Sequence, residues 1–348
     1  MRSKTFRESY REDVRIFQTA WVKIWLAVFV IALVTLPMWG DPYLVYMTNI
    51  SGIAIVAALG LNILTGLTGQ ISLGHAAFVA IGAYTSAILS TRLGLPFWLT
   101  IPAAGLLAAF FGILLGFPCL RLKGLYLAMA TMSFGVVVEY LVTHLESVTM
   151  GVRGISVPAP SMFGYTLSDP AKLFYLIIFI VALLTIAAKN LTRTRVGRAF
   201  VAIRDRDVAA EVIGVNLTKY KVTAFAISSF YGGVAGALYS YSTGYLHPEN
   251  FTLLLSVEYI AMIIVGGLGS ILGSVFGAIF LTVVPDIIKG IADFLGRWLP
   301  FLLAQYDEEW NIAAFGLLIM LFLIVEPTGL NGIWIRIKTS FKNWPFTY

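Results

Sequence analysis

The chain has 348 residues, 59% of them hydrophobic and only 12% charged, with a mean hydropathy of +0.86. Soluble domains carry roughly 25% charged residues, so this composition excludes a fold coated by water and fits one surrounded mostly by lipid. The net charge of +6 does not mark a nucleic-acid binder. Six basic residues fall in 1–24, eight in 189–221 and three after Glu326, with no base-stacking or duplex-reading motif beside them. Cys119 is the single cysteine, so neither a disulfide framework nor a cysteine-based zinc site is expected within the chain.

Apolar runs of about 20 residues cross a bilayer. A basic tail over 1–21, expected to be cytoplasmic and to stay attached, leads into runs at 22–39, 46–65, 75–90, 97–117, 125–143 and 173–188. Beyond the basic segment 189–221 come 222–242, a long stretch 253–285 and a final run at 311–325. Charge tests the count. The fourth span ends beside Arg121 and Lys123, the fifth opens a long extracytoplasmic loop over 144–171 whose basic residue is Arg153, and the sixth returns to the basic segment. A cytoplasmic tail at 336–348, with Arg336, Lys338 and Lys342, then requires 253–285 to cross twice, breaking at Gly266-Gly267-Leu268-Gly269-Ser270.

The expected fold is therefore all-α: a polytopic transmembrane helical bundle of about ten spans, with eight or nine as alternatives. Both termini are cytoplasmic and one membrane domain covers 22–335. Over 286–310, apolar positions 287, 288, 291, 294 and 295 recur at helical spacing; they predict an amphipathic helix in the outer interface or, equally, a continuation of the preceding span.

Three stretches differ from generic lipid-facing helix. The first, 60–87, sets Asn62, Gln70, Ser72 and His75 among glycines at membrane depth, where irregular backbone is tolerated only inside protein or beside a water-filled path. Either a solute path or simple helix packing accounts for it. In the second, Gly269, Gly273 and Gly277 follow a four-residue rhythm, and Ser229, Gly233, Gly236 and Ser240 share one face of another span; both patterns favour close helix packing. The third is the segment 197–221. Asp207 suits a helix N-cap and Gly214 the left-handed position after a helix, with Arg204, Asp205, Arg206 and Asp207 crowded at its entry. It reads as a capped helix that docks on a partner, or as a solvated connection. Glu139 and Glu258 lie near the expected outer ends of their spans, which argues against a transport role for either.

The chain contains no Gly-Lys dipeptide, hence no GxxxxGK[ST] loop for nucleotide phosphates. Its three histidines and one cysteine form no nucleophile–base or metal-ligand pattern, so neither a catalytic residue nor a metal site is expected. An ion-coupled carrier is disfavoured because the charged residues fall at span ends.

At these same stretches the chain resembles the permease subunits of branched-chain amino acid ABC importers, of the LivM type. The resemblance is carried by GLNILTGLTGQISLGHAAFVAIGAYTSA at 60–87, RLKGLYLAMATMSFG at 121–135, GRAFVAIRDRDVAAEVIGVNLTKYKVTAFAISSFYGGVAGAL at 197–238 and GGLGSILGSVFGA at 266–278. It implies a permease in a bacterial inner membrane that pairs with a paralogous permease, docks two cytoplasmic ATPases that use the ATP, and receives its solute from an extracytoplasmic binding protein. It implies no cofactor on this chain. Asn62, Gln70, Ser72, His75 and Tyr84 would then line or gate the path. Arg204 to Asp207 with Ala210, Glu211 and Gly214 would form the ATPase-coupling segment. Related permeases serve urea or short amides, so the resemblance leaves the solute open between these and leucine, isoleucine or valine.

Overall fold

The computed structural model describes residues 20–162, 165–167, 169–296 and 328–343, with isolated positions between 316 and 326. Helix α1 (Ala20–Trp39) leads to α2 (Pro42–Leu61), which runs on through a π-helical turn at Asn62–Leu67. A non-helical passage over 68–74 follows, then α3 (His75–Leu93), α4 (Phe97–Cys119) and α5 (Leu125–His144). After a one-turn helix α6 (Glu146–Thr149) the chain makes strands β1 (Ile155–Ser156), β2 (Ser161–Met162) and β3 (Tyr165–Thr166). Next come α7 (Pro170–Leu191), the short helices α8 (Arg195–Asp205) and α9 (Asp207–Val212), and α10 (Leu217–Thr243). Strand β4 (Tyr245–Leu246) precedes α11 (Leu253–Gly266) and α12 (Ile271–Gly296), and α13 (Gly329–Asn343) lies near the end. The strands are two-residue pairings, β1 with β4 and β2 with β3, that staple loops; the fold is an all-α membrane bundle.

Seven described helical segments are long and apolar enough to cross a membrane: Pro42–Leu67, Phe97–Cys119, Leu125–His144, Pro170–Leu191, Leu217–Thr243, Pro248–Gly266 and Ile271–Gly290. Helix α3 is not among these seven. It is mostly buried from His75 to Ala87, packed on α10, α4 and α5, and small side chains let those helices approach it closely. The contacts show how small. A Cβ added at Gly236 on α10 would stand 1.9 Å from the Val79 carbonyl on α3, and one at Gly82 would stand 2.0 Å from the Gly233 carbonyl. On the other side of α10, a Cβ at Gly233 would meet Ala108 on α4 at 2.5 Å. Helix α2 packs on α10, α7 and α12 and completes the centre of the bundle.

The stretch 253–285 breaks between α11 and α12, where Gly267 (φ 116°) and Gly269 (φ 79°) adopt backbone that other residues rarely take. The two helices then fold back on each other: a Cβ at Gly277 would stand 2.0 Å from the Met262 carbonyl, and one at Gly273 2.5 Å from the Gly266 carbonyl. Helix α12 continues without interruption through Pro285 to Gly296, so 286–295 is helical and continuous with what precedes it; 297–310 lie outside the described residues. So do the tail 1–19, residues 344–348 and most of the expected last span at 311–325.

Candidate functional site

One end of the bundle gathers the interrupted backbone. The π turn widens the end of α2, and its loose carbonyls need partners. Within the 68–74 passage Gln70 is buried; its backbone N–H donates to the Leu64 carbonyl at 3.2 Å and its Nε2 to Thr68 Oγ1 at 2.8 Å. The Thr65 hydroxyl returns a bond to the Gln70 carbonyl at 3.1 Å. Two other helices supply the rest: Leu73 N–H donates to Thr131 Oγ1 on α5 at 3.0 Å, and Ala76 N–H to Ser256 Oγ on α11 at 2.9 Å. These bonds tie the non-helical backbone at membrane depth into the protein interior.

Asn62 ties the π turn to the α11–α12 break. It is fully buried, donates from Nδ2 to the Ser270 carbonyl at 3.0 Å and accepts the Gly269 N–H on Oδ1 at 2.8 Å. Ser72 and His75 are also fully buried; the His75 ring sits edge-on to Tyr259 at 5.8 Å and Phe78 at 6.5 Å, wedged where Gly60 and Gly232 leave room. Tyr84 lies further along α3, buried edge-on to Phe251 at 6.0 Å. Asn62 and Gln70 therefore belong to one junction at the end of α2, while Tyr84 belongs to another part of the bundle.

Helices α8 and α9 close over this same end. Thr194 caps α8, its Oγ1 accepting the Gly197 N–H at 3.3 Å. Arg206 is extended (φ −157°, ψ 103°) and turns the chain into α9. Asp207 is the first helical residue rather than the cap, and its carboxylate has another task. It pairs with Lys123 Nζ at 2.6 Å, in the turn between α4 and α5, and with the buried Lys221 at 3.7 Å. The Lys123 hydrogen bond holds the Asp207 carboxyl below the usual aspartate range, with the Lys221 charge adding to it. Helix α9 ends in a Schellman motif: Gly214 (φ 90°) donates to the Glu211 carbonyl at 2.9 Å and Val215 to the Ala210 carbonyl at 2.9 Å. Ala210 is buried beneath the helix. Val208, Val212 and Ile213 stand exposed, at 66%, 82% and 76%. Glu211 is exposed as well, and Asp205 lies 3.5 Å from the Arg204 Nε.

A family model described as "Branched-chain amino acid transport system / permease component" matches residues 43–325. The chain belongs to this permease family. The high-affinity branched-chain amino acid transport system permease protein LivM of Escherichia coli (strain K12) is 34% identical over 345 residues, covering 92% of this chain and 77% of the relative. The LivM protein of Salmonella typhimurium is 34% identical over 332 residues, covering 88% and 74%. The LivH permease protein of the same E. coli strain is 25% identical over 297 residues, covering 79% of this chain and 90% of the relative. No solved structure matches the chain. This permease is a multi-pass membrane transport subunit, and among its described residues no group of three His, Cys, Asp or Glu side chains gathers to hold a metal ion.

Sequence reasoning missed several residues of this site. Thr131 and Ser256 carry a weak signal as small polar residues within apolar spans. The contacts that give them their role span 58 and 180 positions of sequence, which spacing does not reveal. Lys123 and Lys221 were legible as topology markers only, not as partners of Asp207.

Proposed function

We propose that this permease is the membrane subunit of an ATP-driven importer that moves branched-chain amino acids into the cytoplasm of a bacterial cell by alternating access. The cargo follows the names of the LivM and LivH relatives. The partners in this reading are a paralogous permease, two cytoplasmic ATPases and an extracytoplasmic binding protein. ATP is used by the ATPases, and this chain needs no cofactor.

One observation carries the reading. Val208, Val212 and Ile213 are exposed on a short helix whose length is set by a Schellman stop and whose base is fixed by Asp207. Exposed at positions i, i+4 and i+5, they make a compact apolar knob suited to a groove on an ATPase. Ten crossings with both termini cytoplasmic are supported by the grouping of Gly66, Lys123, Arg204, Gly269 and Gly329 at one end and of β1, β4 and Arg92 near Ser147 at the other. The paired, glycine-broken helices α11 and α12 supply the bistable element that alternating access needs. Asn62, Gln70, Ser72, His75 and Tyr84 are all buried in this chain; they act on the path by setting where its helices stand.

The double substitution Val212→Ser with Ile213→Ser tests the dock. Affinity for the ATPases, read by co-purification, should fall at least about a hundred-fold while the chain still inserts, because each buried valine or isoleucine contributes about 1.5–3 kcal/mol and two are removed. Undiminished co-purification would overturn this assignment.

A further inference from the structure

We infer that Arg204 is a positioning residue for transport: through it, movement of the α8–α9 segment reaches both interrupted helices at once. This rests on the ATPase-docking reading above, and it assigns Arg204 to transmission rather than to the dock.

Arg204 sits in the last turn of α8 with its guanidinium turned onto the bundle. Nη1 donates to the Gly66 carbonyl at 2.9 Å. Gly66 lies in the π turn, among the last carbonyls of a helix, which lack partners along the helix and favour a cation. The same Nη1 lies against the α11–α12 break: a Cβ added at Gly269 would stand 2.7 Å from it. The stem of Arg204 packs on Gly69, where a Cβ would stand 3.2 Å from Cγ. The Asp205 carboxylate, 3.5 Å from Nε, braces the other edge of the fork. Gly66 and Gly269 also touch each other, since a Cβ at Gly66 would stand 2.5 Å from the Gly269 nitrogen, and Asn62 bonds across the same seam. One planar side chain thus bridges the coupling segment, the π turn and the helix break. Asp207 holds the start of α9 to Lys123 and Lys221, so displacement of α8 relative to that anchor bears on Arg204.

The test uses the whole transporter in proteoliposomes with its binding protein, comparing Arg204→Ala and Arg204→Lys with the unaltered protein. Two quantities are read: ATP hydrolysis and solute uptake per ATP hydrolysed. Arg204→Ala should keep its ATPases and its hydrolysis while uptake per ATP falls about ten- to hundred-fold, the range for loss of one charged hydrogen bond. Arg204→Lys keeps the charge but not the fork, and should be intermediate. An unchanged ratio in Arg204→Ala, or uptake and hydrolysis falling in parallel without recovery in Arg204→Lys, would overturn the inference. If Arg204→Ala does not assemble, Arg204→Lys decides alone: a lowered ratio at normal hydrolysis supports it, and an unchanged ratio refutes it. Normal ATPase binding by the Val212/Ile213 double variant would instead strike the docking reading. Uptake by the unaltered protein without ATP would sink the importer reading and this inference with it.

Discussion

The Asn62 side chain grips the backbone at Ser270, 208 positions away, donating to its carbonyl at 3.0 Å while accepting the neighbouring Gly269 N–H at 2.8 Å. One amide therefore supplies the acceptor for the Gly269 N–H and adds a donor to the Ser270 carbonyl, which also accepts the Ser274 N–H at 3.0 Å. It joins the π turn of α2 to the start of α12 in a buried seam.

Replacing Asn62 by Ala leaves the Gly269 N–H unpaired, while the Ser270 carbonyl keeps the Ser274 N–H. Each buried unsatisfied group costs about 1–3 kcal/mol, so the purified chain should unfold at a clearly lower temperature. Asn62→Asp keeps the acceptor for Gly269 but loses the donor to Ser270, and should also lower the midpoint. A midpoint unmoved in Asn62→Ala would contradict the clamp.

Two glycine substitutions on spanning helices should differ in sign. At Gly236 an added Cβ would stand 1.9 Å from the Val79 carbonyl, so Gly236→Ala must push α3 and α10 apart, at about 1–3 kcal/mol. At Gly290 nothing lies within 4 Å, and Gly290→Ala gains helix propensity of about 0.8–1.0 kcal/mol. Thermal unfolding of both variants in one detergent checks the pair.

Much of this architecture was readable from residue order. The break at 266–270 followed from charge parity and glycine spacing, and the helix ended by Gly214 followed from cap chemistry, because both signals are local. Asp207 was misread by one position: as a cap its role would be local, but its carboxylate answers to Lys123 and Lys221, brought near only by folding. The π turn was not legible because the hydrogen-bond register inside a helix leaves no mark on residue spacing; it coincides with the bonds from Asn62 to Gly269 and Ser270. The sequence pointed to Asn62, Gln70, Ser72, His75 and Tyr84 as one group. Folding separates Tyr84 from the Asn62 junction and instead brings in Arg204, from a segment read as a cytoplasmic dock.

The Asp207 anchor carries a pH signature. Its carboxyl is held below the usual aspartate value, chiefly by the Lys123 hydrogen bond, so its contribution is fully present above about pH 3.9 and is lost as pH falls through the depressed value. Protection of 195–216 from limited proteolysis should therefore be flat from pH 8 to 5. Asp207→Asn, which removes the charge, should lower that protection at pH 7 and leave it flat over the same range. A wild-type loss of protection centred near pH 6 would contradict the assignment.

The central claim is tested most directly by uptake of labelled leucine into proteoliposomes holding this permease with its paralogue, ATPases and binding protein. The account predicts uptake that requires hydrolysable ATP on the ATPase side and survives ionophores that collapse proton and sodium gradients. Uptake that proceeds without ATP and disappears with the ion gradient would contradict it.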